Sequence, residues 1–182
     1  MGKAFGIPRL LFIASLGLAS FSVSMVFESP AVAKSDYENV KVYGDKTIKD
    51  LMEASRDGAV SWKTLQRVSV DVKDTKTETL FIPEFDKSVA ALDGKEIEIE
   101  GFMFPLVPTT DIPDTGDHFL LSSIPASCPF FHIYGGQIIE VIAVEEFEFV
   151  EDDPVRIKGR LELLRKNTDG LFYKMTGVTM VN

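Results

Sequence analysis

Cys128 and His132 stand four residues apart, a spacing that on a helical turn brings both side chains to one face. A thiolate and an imidazole are soft or borderline ligands suited to zinc or copper, and His118 or a nearby carboxylate is available to share the ion. Cys128, His132 and His118 are therefore the candidate metal ligands, fewer than the four that a structural zinc site takes. The same residues admit a second chemistry. Pro129 suits the first position of a helix, which would set Cys128 at a positive helix end and lower its thiol pKa, with His118 or His132 as base. No oxyanion motif or partner carboxylate follows by spacing, and redox exchange lacks a resolving thiol because Cys128 is the single cysteine. The third role for a lone cysteine among Pro, Phe and Ile is that of a small buried hydrophobe.

Other chemistry-bearing groups are sparser. Glu145, Glu146, Glu148, Glu151, Asp152 and Asp153 gather negative charge, but they lack the alternating oxygen ligands, central Gly and closing Glu of a calcium loop and read as a solvated edge and turn. Gly135-Gly136 is too short for a phosphate cradle and closes a turn. Phe102, Phe104, Phe130, Phe131 and Tyr134 read as core before ligand platform.

The elements that must position these residues fall into a lead-in, 34–65, and a β-rich body, 66–182. In TIKDLMEASR, 47–56, Ile48, Leu51, Met52 and Ala54 recur at mainly three- and four-residue spacings, which predicts one helix with Asp45 or Thr47 near its cap. Trp62 and Leu65 follow as an apolar plug docking the lead-in onto the body. From Gln66 the period becomes two. Val68, Val70 and Val72 alternate with Ser69 and Asp71, a second strand covers Thr79 to Ile82, and in Lys95 to Gly101 Ile97 and Ile99 oppose Glu96, Glu98 and Glu100. Phe119 to Ile124 is a fourth strand. Gln137 to Val150 is a fifth, apolar on both faces and bent near Glu145-Glu146. The last two form a hairpin through Asn167-Thr168-Asp169-Gly170, with Gly159 and Gly177 marking close backbone approach or barrel corners.

Short strands with turn signals and no βαβ rhythm predict a mainly β fold, a small Greek-key barrel of the oligonucleotide/oligosaccharide-binding (OB) type, with a sandwich of two small sheets as the alternative. The irregular segment 127–136 is expected between the third and fourth barrel strands.

Residues 1–33 read as a secretion signal: Lys3 and Arg9, an apolar stretch from Leu10 to Phe27, then Ala31-Val32-Ala33 as a cleavage site. The processed chain would begin at Lys34, act in the periplasm and have no stable membrane insertion. Cleavage removes Lys3, Arg9 and Glu28 and leaves 17 Lys and Arg against 27 Asp and Glu, a net charge of −10. Such a chain repels phosphate backbones, which argues against nucleic acid and leaves metal ions or an envelope protein as partners.

The stretch LDGKEIEIEGFMFPL (Leu92 to Leu106), then HFLLSSIPASCPFFH (His118 to His132), then Gly136 to Val141 and the closing VRIKGRLELLRKNTDGLFYKMTGVTMV resemble a family of exported bacterial proteins, domain of unknown function 3299. The resemblance covers most of Trp62 to Val181. It implies an exported barrel-like protein with a part in metal-ion handling or envelope transport. Related sequences carry a second cysteine, Cys-Pro-Phe-Cys, where this chain has Phe131, and that departure weakens a dithiol redox or metal role. The expectation is a periplasmic, non-enzymatic binding or accessory protein, with zinc or copper as candidate ions. A thiol-dependent enzyme or redox protein using Cys128 and a purely structural envelope component are the alternatives.

Overall fold

Thr47 opens the first helix because its side chain and that of Asp50 satisfy each other's backbone: Thr47 Oγ1 accepts from the Asp50 amide at 3.2 Å, and Asp50 Oδ2 accepts from the Thr47 amide at 2.9 Å. The hydrogen bonds that the Asp50 carboxylate accepts from the Thr47 amide and hydroxyl hold it below its usual range. The computed structural model describes residues 39–53, 58–106, 115–128, 135–150 and 153–181. Its first elements are a small ribbon, β1 (Lys41–Tyr43) and β2 (Lys46–Thr47), then helix α1 (Ile48–Glu53). The helix expected over 47–56 thus begins at its predicted cap, and residues 54–57 lie outside the described ones.

A second short helix, α2 (Trp62–Leu65), is capped by Ser61, whose side chain accepts from the Thr64 amide. Trp62 and Leu65 act as the plug their type suggested. Both are buried in the main core, and each is tied to the body by a hydrogen bond as well as by packing. Trp62 Nε1 donates to the Glu100 carbonyl at 2.7 Å, and the Tyr173 hydroxyl donates to the Leu65 carbonyl.

The hairpin of β3 (Val68–Asp74) and β4 (Thr79–Phe85) forms a two-stranded sheet of its own, followed by helix α3 (Lys87–Ala90), which Asp86 caps through the Ser88 and Val89 amides. Five strands then make a closed barrel: β5 (Glu96–Pro105), β6 (Thr115–Ser122), β7 (Ile138–Glu148), β8 (Pro154–Leu163) and β9 (Tyr173–Met180). Their order is β5-β6-β7-β9-β8, with β8 returning to β5. Only β7 and β9 run parallel, and the other pairs are antiparallel. This is the mainly β, OB-like Greek-key barrel the strand pattern predicted, not the sandwich.

Closure places two demands on β5. Its first part, Glu96 to Phe102, pairs with β8, while Phe102 to Pro105 pairs with β6. At the crossover sits Gly101, where a Cβ would come within 2.6 Å of the Ser122 carbonyl oxygen; only glycine lets the two backbones approach this closely. A similar demand appears where β8 meets β9. Gly159 lies against Val178, and Gly177 takes φ of 64° at an irregularity in the pairing, a left-handed conformation glycine adopts at no steric cost.

The irregular segment is placed differently from expectation. It separates β6 from β7, the second and third barrel strands. The reason is that β3 and β4 pair with each other and with none of the barrel strands, so barrel counting begins at Glu96. The bend expected in β7 is present as broken pairing: Ile142 faces His118, Phe147 faces Gly116, and the residues between bulge opposite Asp117.

Inside the barrel, Ile99, Phe119, Leu121, Ile139, Val141, Ile157, Leu161, Tyr173 and Met175 are fully buried. Phe119 tilts against Phe147 at 5.8 Å between ring centroids, and the interior is filled by side chains, as small barrels require.

Candidate functional site

Cys128 follows β6 at the end of a turn, its amide donating to the Pro125 carbonyl at 3.1 Å. It is 4% exposed and belongs to a small apolar cluster with Ile48 and Ile124, against which Val42 and Met52 pack. The lead-in therefore covers the thiol. Of its three candidate roles, this environment is that of the small hydrophobe. His132 and Pro129 lie outside the described residues, as do Phe130, Phe131 and Tyr134.

His118 has different surroundings. It lies on the outer face of β6, about half exposed, with Nε2 3.0 Å from Glu140 Oε1. The other carboxylate oxygen of Glu140 is 3.5 Å from Lys174 Nζ. One carboxylate thus sits between an imidazole and an ammonium, drawn from three adjacent strands, β6, β7 and β9. The register explains the meeting: Glu140 pairs directly with Lys174 across the parallel ladder, and His118, opposite Ile142, reaches it diagonally.

The contacts of Cys128 and His118 do not overlap, and among the described residues no group of three His, Cys, Asp or Glu is arranged to hold a metal. A metal joining Cys128 to His118 is thus not pre-organised in this fold, because one side chain faces the lead-in and the other faces outward from the barrel wall.

The described acidic residues of the run are dispersed as a solvated edge, and Glu151 and Asp152 lie outside the described residues. Glu146 accepts from the Thr115 hydroxyl at 2.8 Å, Glu145 and Glu148 are exposed, and Asp153 accepts from the Tyr43 hydroxyl at 2.7 Å. That last hydrogen bond, to an anion, pushes the Tyr43 phenol up and pins the ribbon of β1 and β2. Tyr43 also stands edge-on to Phe102, and Phe102 is core, as expected.

Two features escaped sequence reasoning. The first is the His118–Glu140–Lys174 trio. Its signal was Glu140, the single charged residue within Ile138 to Val144, but its partners depend on a parallel pairing that spacing does not reveal. The second is Ser123, buried, with no hydrogen-bond partner for Oγ among the described residues. It borders a small crevice with Leu51, Glu100, Gly101, Phe102 and Pro154. Neither group brings a nucleophile, a base and a substrate-sized cavity together.

No protein-family model, no curated protein and no solved structure matches the chain, so the resemblance to domain of unknown function 3299 rests on the order of its segments alone.

Proposed function

We propose that this protein is a non-enzymatic binding or accessory module of the periplasm that engages an envelope protein through the outer wall of β6, β7 and β9. The observation that carries this reading is the filled interior. With Ile99, Phe119, Leu121, Val141, Ile157, Leu161 and Met175 occupying the barrel, a ligand has to be met on the outside. The outer wall there offers the half-buried Leu120 and Ile142 beside the polar trio of His118, Glu140 and Lys174. Apolar ground with a few oriented polar groups is the composition of a recognition surface. Zinc or copper handling through Cys128, His132 and His118 is a narrower form of the same reading, and it requires the thiol to leave its cluster with Ile48 and Ile124. A thiol enzyme makes the same demand.

Site-specific photo-crosslinking in cells tests the proposal. A photoreactive residue at Ile142 or Thr176, both half-buried on this wall, is expected to give a discrete adduct, weakened by His118→Ala or Lys174→Ala. The same probe at Lys87, exposed in α3, is expected to give none. Equal labelling at all positions, or none anywhere, would overturn the assignment.

A further inference from the structure

The β3–β4 hairpin presents an edge whose backbone direction and charges specify a partner, and we propose that this partner is a second copy of the same chain, joined antiparallel through β3 about a two-fold axis at Val72. The backbone direction follows from Phe81. Its amide and carbonyl are exchanged with Asn167 at 2.8 and 3.1 Å, on the far side of β4 from β3. Phe81 therefore does not use them on Val72, which it faces in the ladder. Because hydrogen-bonded and non-hydrogen-bonded pairs alternate in antiparallel sheets, Val72 is a non-hydrogen-bonded position whose own amide and carbonyl point away from β4. Val70, two residues on, does the same. Among the described residues, β3 has no strand partner other than β4.

The side chains select the register. Val70 and Val72 are 43% and 49% exposed, two of the most exposed large apolar side chains among the described residues. Asp71 and Lys73 share the opposite face, 3.5 Å apart. An axis at Val72 forms a hydrogen-bonded pair between the two copies of Val72. It also sets Asp71 opposite Lys73 of the partner subunit and Lys73 opposite Asp71 of the partner subunit, two opposite-charge pairs at cross-strand distance. Moving the axis to Asp71 or Lys73 sets like charges face to face, and moving it to Val70 sets Lys73 against Arg67 of the partner subunit. The charges that guard this edge against indiscriminate pairing thus leave one register open. The result is a four-stranded sheet continuous across the two copies, an isologous contact that closes on itself. It is small, so the dimer is expected to be weak and reversible.

Sedimentation of the protein obtained by expressing the full chain, over a series of concentrations, tests this. The mass is expected to rise twofold with concentration. Val72→Pro removes an amide that the hairpin itself does not use and is expected to leave a monomer at every concentration. Lys73→Glu, an exposed change with no folding demand, is expected to do the same by facing Asp71 of the partner subunit. Asp71→Lys combined with Lys73→Asp restores both pairs and is expected to restore the dimer. A wild type that stays monomeric, or a dimer that survives Lys73→Glu, would overturn the proposal.

Discussion

Ile97 and Ile99 in β5 carry the same alternating pattern as Val70 and Val72 in β3, yet the isoleucines are 7% and 0% exposed and the valines 43% and 49%. The local code is the same in both places: an apolar residue every second position, charge between. What differs is the neighbourhood that distant parts of the chain supply. β5 is flanked by β8 along one edge and β6 along the other, and on its inner face by the whole barrel, including Trp62 from the lead-in. β3 has β4 on one edge and no strand on the other among the described residues. Alternation specifies a strand with two unlike faces. Whether the apolar face is covered is decided by closure, and closure is non-local.

The sharpest test of this difference is to shorten one residue of each pattern. Ile99→Ala leaves a void in a filled barrel and is expected to cost about 2–5 kcal/mol, read as a lower denaturant midpoint. A loss below about 1 kcal/mol would mean that the barrel collapses around the gap and is less rigidly packed than its burial indicates.

Tyr173→Phe is expected to cost less, about 1–3 kcal/mol, because it strands the Leu65 carbonyl in the core. It also carries a pH signature. Burial, reinforced by the charge of Asp86, pushes the Tyr173 phenol well above its ordinary value. The folded protein therefore retains this proton at alkaline pH where the unfolded chain, titrating near about 10, has released it. The associated stability is complete below that pH and is lost as pH rises above it. Melting temperatures taken across this range should fall more steeply in the wild type than in Tyr173→Phe, and parallel curves would show that the phenol does not stay protonated.

At the other end of the scale, Val72→Thr in β3 is expected to change stability by no more than about 0.5 kcal/mol. A cost approaching that of Ile99→Ala would show that β3 is covered after all and would end the contrast.

The contrast also explains what could be read in advance. Strand β5, the final hairpin turning at Asn167 to Gly170, the capped helix at Thr47 and the Trp62–Leu65 plug each announce themselves within about ten residues, through period, cap or turn chemistry. The turn is set by Asn167, whose side chain accepts from the Gly170 amide at 2.7 Å. The candidate site is another matter. That Cys128 faces Ile48 while His118 faces Glu140 depends on how the lead-in folds back and on which strands adjoin. Glu140 meets Lys174 only because β7 and β9 run parallel, a pairing of segments some thirty residues apart. The exclusion of Val68–Phe85 from the barrel is likewise invisible to alternation, which gave β3 and β5 the same description.

The hydrogen bond from Tyr173 to Leu65 links the beginning of the described fold to its final strand. As a chain emerges from its N-terminal end, the barrel stays open until β9 is available to bridge β7 and β8, and the lead-in carbonyl remains without its donor for the same interval. Assembly therefore waits on β9. Half-built intermediates gain little from the order in which their parts appear, and a chain cut short before Tyr173 loses the barrel and the anchor of its lead-in together.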